Sequence, residues 1–161
     1  MIGIISDSHD NLNAVRLAVQ LFRDRNCDLV LHAGDVVAPF TAQELRGCGC
    51  LVRAVFGNCD GEKEGLRKAF DGWGAIEEPP VRLQHGGLSI TLTHRDARLD
   101  RLLRRSSGGV VVFGHTHRPL FERRKTALLV NPGEAGGWLR GKSTVALLDP
   151  ATLAVEIITL S

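Results

Sequence analysis

Five short apolar runs, MIGIIS, CDLVLHAGD, LVRAVFGN, GGVVVFGH and ALLVNPG, each stop at a Gly, Asp or Asn, and they constrain the fold more than anything else in the chain. Runs this short, rich in β-branched residues and closed by turn formers, predict buried strands. Between the first two, Leu12, Val15, Val19 and Phe22 recur at helical spacing behind Asn11, which predicts a helix from about 12 to 25 with Asn11 as its cap. AQELRG near 42–47, KEGLRKAF near 63–70 and ARLDRLLRR near 97–105 repeat the pattern, with Asp96 as the expected cap of the last helix. Strand and helix in alternation predict an α/β fold. VRLQHGGLSITLTH, FERRKTALLVN and STVALLDPATLAVEIITL read as hairpins forming a second, mixed-sheet half, and GWGAIEEPP at 72–80 reads as a loop.

With 161 residues and 43% apolar side chains, the chain is expected to form one domain, 1–161, around a substantial core. A formal charge of +2 from 20 basic and 18 acidic residues is too balanced to advertise nucleic acid or an anionic membrane as partner, so any anionic ligand must be held locally. The opening residues carry neither a basic leader nor a long apolar span, which makes the cytoplasm the expected location. Cys27, Cys48, Cys50 and Cys59 are expected as free thiols, and the Cys48–Gly49–Cys50 spacing suits small residues beside a turn better than a metal or redox pair.

The chemistry lies at the strand ends, where Asp7 and His9, Asp35, Asn58 and Asp60, His94, and His115 with His117 supply oxygen and nitrogen donors. In an open α/β sheet the carboxyl ends of strands gather in one crevice, so residues distant in sequence meet there. Gly34–Asp35 or Gly57–Asn58 alone would be an ordinary turn. Two imidazoles flanking one residue in Gly114–His115–Thr116–His117 have little reason to be there for packing. Two carboxylates, one amide oxygen and four imidazoles suit two divalent cations, with manganese the leading expectation and nickel, iron, cobalt, zinc or magnesium as alternatives. Seven ligands exceed what one such ion takes, and Asp35 is the natural bridge. His32 and His85 read as structural, the first inside a strand and the second at a hairpin turn.

The series Asp-x-His, Gly-Asp, Gly-Asn-x-Asp, His, Gly-His-x-His, running from Asp7 to His117 with Asn131–Pro132–Gly133 beyond it, resembles the calcineurin-like metallophosphoesterase superfamily. Its small single-domain prokaryotic phosphodiesterases, whose third motif reads Gly-Asn-Cys-Asp as Gly57 to Asp60 does, look nearest, and these are similar to the retromer subunit of the same fold. The resemblance implies a four-layer α-β-β-α sandwich of two mixed sheets flanked by helices. It also implies one cation on Asp7, His9, Asp35 and His117 and a second on Asp35, Asn58, His94 and His115. Asp35, Asn58, Cys59, Asp60 and His94 make up the expected catalytic set.

The expected reaction is hydrolysis of a small phosphate ester, diesters before monoesters, by a metal-bridging hydroxide formed between cations about 3.5–4 Å apart. Cys59 stands where superfamily enzymes with Gly-Asn-His-Asp use the histidine to protonate the leaving oxygen, so esters with good leaving groups are expected to be preferred. Arg95–Asp96 replaces the Gly-His that often follows His94 in relatives, leaving Arg95 as an exposed residue or a phosphate clamp. Asp60 is expected either to orient a neighbouring ligand or to serve as a turn carboxylate. The alternative function is a protein-interaction scaffold of the same fold. The RLLRR face at 101–105 and the Trp138 loop are candidate homo-oligomer contacts.

Overall fold

The computed structural model describes residues 1–104 and 108–161. Its strands are β1 (Ile2–Ile5), β2 (Leu29–His32), β3 (Leu51–Val55), β4 (Gly74–Glu77), β5 (Val81–His85), β6 (Leu88–Leu92), β7 (Gly109–Val112), β8 (Leu120–Arg124), β9 (Ala127–Asn131), β10 (Thr144–Leu148) and β11 (Val155–Thr159). The helices are α1 (Leu12–Asp24), α2 (Pro39–Leu45), α3 (Lys63–Phe70) and α4 (Leu99–Arg104). One sheet runs β11-β10-β1-β2-β3-β4 and the other β5-β6-β7-β9-β8.

Both sheets are mixed, for a reason visible in the connections. β1, β2, β3 and β4 pair in parallel through helical crossovers, while the β10–β11 hairpin adds antiparallel to β1. In the second sheet β6, β7 and β9 are parallel, and the hairpin partners β5 and β8 close its edges antiparallel.

Side-chain alternation builds the layers. Along β1 and β2, Ile2, Ile4, Leu29 and Leu31 face the second sheet, where Val110, Val112, Leu128 and Val130 meet them in one buried cluster. The other face of the first sheet, with Ile5, Val30, Val52 and Val145, packs on α1, α2 and α3 through Val15, Phe22, Leu45, Leu66 and Phe70. Val111, Phe113 and Leu129 on the far face of the second sheet cover Leu99, Leu102 and Leu103 of α4. Strands buried on both faces explain why the sequence shows continuous apolar runs instead of alternation. Gly3 lets α1 pack close to β1, since a Cβ there would lie 2.7 Å from the Phe22 ring.

Asn11 caps α1 as expected, its side chain accepting from the Ala14 N–H at 3.2 Å. α2 begins earlier than its apolar pattern indicates, because Pro39 is preset for a first helical position, and it runs into a 3₁₀ turn at Arg46–Cys48. All four cysteines are free, with Cys48 buried beside the left-handed Gly49.

Four expectations need correction. The β10–β11 hairpin belongs to the first sheet, because Ile2, Gly3 and Ile4 pair with its inner strand. The 72–80 segment holds the edge strand β4, whose single buried apolar residue, Ile76, gives too weak a pattern to stand out among Gly and Pro. Asp96 is no helix cap: it lies in a 3₁₀ turn, Asp96–Arg98, that precedes α4 and has no side-chain cap. Leu102 and Leu103 of the RLLRR face are buried in the chain's own core, while residue 105 of that segment lies outside the described residues. Among the described residues no helix is long and apolar enough to cross a membrane.

Candidate metal centre

The donors meet at the carboxyl ends of strands from both sheets, which corrects the single-sheet crevice. Asp7 and His9 follow β1, Asp35 follows β2 and Asn58 follows β3, while His94 follows β6 and His115 and His117 follow β7 of the facing sheet. His117 Nε2 lies 3.3 Å from Asp7 Oδ1, and His9 Nε2 lies 4.0 Å from Asp7 Oδ1 and 3.6 Å from Asp35 Oδ2. His94 Nε2 is 3.5 Å from Asp35 Oδ2 and 3.0 Å from Asn58 Oδ1. Donor atoms of Asp7, His9 and His117 form one group within 4.8 Å of one another, and those of Asp7, Asp35 and His94 form another. A third group, His9, Asp35 and Cys59, brings in the thiol. His115 joins through its ring, edge-on to His94 at 5.1 Å, and through its backbone N–H, which donates to Asp7 Oδ2 at 3.1 Å.

The backbone is bent to make this convergence. Asp7, His9, Asp35, His115 and His117 have φ of 52°, 41°, 59°, 67° and 57°, a left-handed conformation that non-glycine residues rarely adopt. Such strain persists only where surrounding structure over-determines it. Here the restraint is explicit: Asp7 N donates to Gly34 O at 2.9 Å, and His9 N donates to Asp35 O at 3.1 Å. Asp60 is buried and accepts from three N–H groups, those of Asp35 at 3.0 Å, Gly57 at 2.7 Å and Val37 at 2.7 Å. Its carboxylate therefore ties the loop after β2 to the loop after β3, and it acts as both a turn carboxylate and an orienting one.

Two glycines in the motifs are spacers as much as turn residues. A Cβ at Gly57 would overlap Asp35 Oδ1 and the Asp35 nitrogen, and one at Gly114 would overlap Ser6 Oγ and stand 2.6 Å from Asp7 Oδ2. Each thus leaves room for the carboxylate of another strand.

The roles of several supporting residues escaped the sequence reading. Ser6 Oγ donates to Asp7 Oδ2 at 2.5 Å, and Glu134, buried behind β9, puts Oε1 3.4 Å from His117 Nδ1. Asn131 donates to Gly114 O at 2.9 Å and Thr116 Oγ1 at 3.0 Å, fixing the Gly-His-Thr-His turn from behind. The Ala135 and Gly136 N–H groups donate to Ser6 O and Asp7 O, both at 2.9 Å, so the segment before β10 holds the end of β1. A serine before an Asp and a glutamate after Asn-Pro-Gly carry no periodic signal. His32 is fully buried against Ser8, and His85 Nε2 lies 3.2 Å from Asp28.

The electrostatics separate the two carboxylates. Burial pushes the Asp7 carboxyl up against the opposing pull of the Ser6 hydroxyl and of His94 and His117. Burial acts upward on Asp35 too, but His94, the Cys59 N–H and His9 outweigh it and hold Asp35 well below the usual carboxylate range. For His94, burial acts downward and loses to Asp35 and the Ala33 carbonyl, so the imidazole is raised. That carbonyl lies 2.8 Å from Nδ1, which gives Nδ1 the proton and leaves Nε2 facing Asp35 and Asn58. The Cys59 thiol is pushed up by burial and then by Asp35, so it stays protonated in the field of the protein's own groups.

A cation fits this donor set on a direct observation: His9 Nε2 is buried between two carboxylates without a hydrogen-bond partner. Mixed carboxylate and imidazole donors match transition ions such as manganese or zinc. Asp7, Asp35, His9, His94 and His117 have donor atoms close enough to share cations. Asn58 Oδ1 adds an oxygen beside His94. The surrounding cleft, about 710 Å³, is also lined by Cys59, Thr116, Glu134, Trp138, Leu139 and Arg140. Arg95 is exposed and lines a smaller neighbouring cleft with Phe56 and Thr93.

The sequence model of the calcineurin-like phosphoesterase superfamily domain matches residues 1–152. A phosphodiesterase of Methanocaldococcus jannaschii is 35% identical over an alignment of 152 residues that covers 92% of each chain. The solved structure of an archaeal phosphodiesterase superposes with a TM-score of 0.93 at 32% identity over 99% of each chain. Vps29 of Chaetomium thermophilum superposes with a TM-score of 0.70 over 99% of this chain and 97% of that one. At 18% identity, that last likeness speaks for the fold alone.

Proposed function

The chain belongs to the calcineurin-like phosphoesterase superfamily, and on that premise we propose that it is a phosphodiesterase whose activity depends on two divalent cations held by Asp7, His9, Asp35, Asn58, His94, His115 and His117. The observation that carries the proposal is the position of His9 Nε2, buried and unpartnered within 4.0 Å of the carboxylates of both Asp7 and Asp35. In a metal-free function such a cluster of desolvated donors would be a cost without a return. This weighs against the scaffold alternative.

Cations bound here would supply Lewis acidity, neutralising charge on phosphoryl oxygens and acidifying a water to serve as nucleophile at neutral pH. The chain's own residues do the rest. Asp35 shares one donor group with His9 and Cys59 and another with Asp7 and His94, so it would be the residue to bridge two cations; its backbone is fixed by Asp60 and one of its oxygens by the Cys59 N–H at 2.8 Å. Asp7 is oriented by Ser6 and the His115 N–H, and His117 by Glu134. Asn58 Oδ1 lies 3.0 Å from His94 Nε2, and the two would hold a second cation together. Cys59 is exposed on the cleft wall, and its thiol would be the group to pass a proton to the departing oxygen. A thiol is a weaker stand-in for an imidazolium there, so esters with good leaving groups are favoured.

The test is hydrolysis of a bis-aryl phosphate diester and the matching monoester by chelator-treated protein supplied in turn with manganese, nickel, magnesium and zinc. Diester turnover restored by at least one metal is expected, together with loss of both cations and of activity in Asp35→Ala. Full turnover in the presence of chelator would refute metal dependence, and undiminished turnover by Asp35→Ala would refute the bridge.

A further inference from the structure

An exposed tryptophan is fixed at the edge of the metal cleft. Trp138 is 64% exposed, yet its indole N–H donates to His9 O at 3.2 Å, and a Cβ on Gly136 would lie 2.9 Å from its Cδ1. The pyrrole edge is therefore seated on the backbone beside a metal donor, and the rest of the ring stands free. The next two residues are fixed as well: the N–H groups of Leu139 and Arg140 donate to the buried carboxylate of Glu134 at 3.0 and 3.1 Å. Glu134 is the carboxylate that also faces His117, so one buried group ties the wall to the metal-binding turn. Among the described residues Arg140 meets a carboxylate through its backbone N–H alone, and it lines the same cleft as Trp138.

We propose that Trp138 is a stacking platform for a planar aromatic arm of the phosphate ester, with the Arg140 guanidinium beside it drawing the phosphate in. The inference rests on the phosphoesterase reading and adds a substrate class to it. A large apolar ring kept out of the core and immobilised by its one polar atom costs the free protein burial without gaining mobility. It gains from a flat ligand, because a preset ring loses little entropy on stacking. A nucleobase and a simple aryl ring share that chemistry, so the ligand set must separate them.

Manganese-loaded protein is titrated calorimetrically with adenosine 5′-monophosphate, phenyl phosphate and ribose 5-phosphate, three phosphate monoesters that differ in their rings. The wild type is expected to bind the first about tenfold more tightly than ribose 5-phosphate. Phenyl phosphate sharing that advantage assigns the platform to aryl esters in general, and phenyl phosphate lacking it assigns the platform to nucleobases. Trp138→Ala should reduce the advantage to less than about twofold, and Trp138→Phe, which keeps a ring, should retain most of it. Equal affinities in the wild type, or an unchanged preference in folded Trp138→Ala, would overturn the proposal. Diester turnover is followed on the same samples: turnover without ring preference defeats the platform alone, and ring preference without turnover defeats catalysis alone.

Discussion

Replacing His32 by Asn and following stability against pH tests how the Asp35 loop is supported. His32 is fully buried, and its Nδ1 accepts the Gly34 N–H at 3.2 Å, so the proton sits on Nε2, 3.0 Å from Ser8 Oγ. Burial, opposed by Asp35 and assisted by His94 and His9, pushes the imidazole down to about 3. In the unfolded chain it titrates at about 6.5, so between these values the unfolded state binds a proton that the folded state refuses. Stability from this group is complete above about pH 6.5 and falls by about 1.4 kcal/mol per unit as pH drops towards 3. Asn keeps an acceptor where Nδ1 stood. It loses the Ser8 bond, about 1 kcal/mol, and ring volume worth about 1–2 kcal/mol. Urea unfolding of both proteins in chelator, at half-unit steps from pH 8 to 4, should show His32→Asn about 2–3 kcal/mol less stable at neutrality. The curves should meet near about pH 4.5, where the wild type has lost its advantage. Parallel curves across that range would refute the buried neutral histidine.

Asp60→Asn keeps one acceptor oxygen for three N–H donors, so at least one is orphaned, at about 1–3 kcal/mol by chemical denaturation, and manganese affinity should fall with it. Undiminished affinity would separate Asp60 from Asp35. Gly57→Ala puts a methyl group into Asp35, and calorimetry should find at least one cation lost even where circular dichroism shows a native fold. Cys59→His should raise turnover of alkyl diesters by about tenfold or more and leave nitrophenyl diesters nearly unchanged, as expected of a better proton donor. An equal response from both would place residue 59 away from the departing oxygen.

Much of this was legible in the residues because the fold and the site use the same grammar. Strands buried on both faces must be apolar throughout, so Ile2–Ile5, Leu29–His32 and Gly109–Val112 announce themselves, and the donors follow directly after them. Edge strand β4 was hidden because an edge needs only one buried side chain, here Ile76. The sheet to which β10 and β11 belong was also hidden, since a hairpin's pattern is the same whichever neighbour it joins. At the site, candidate ligands could be read from donor chemistry, but Ser6, Glu134 and Asn131 act through contacts with distant turns that leave no spacing rule. The roles of Gly57 and Gly114 as clearance for a distant carboxylate exist only in three dimensions.

β1 is enclosed by residues far along the chain. Its free edge is filled by β10, and the loop it feeds is held by Ala135 and Gly136, all of which lie beyond the final donor, His117. The frame that aligns the candidate donors is thus completed by residues later in the sequence than any of them, so the site is assembled only when segments far apart in the chain fold together.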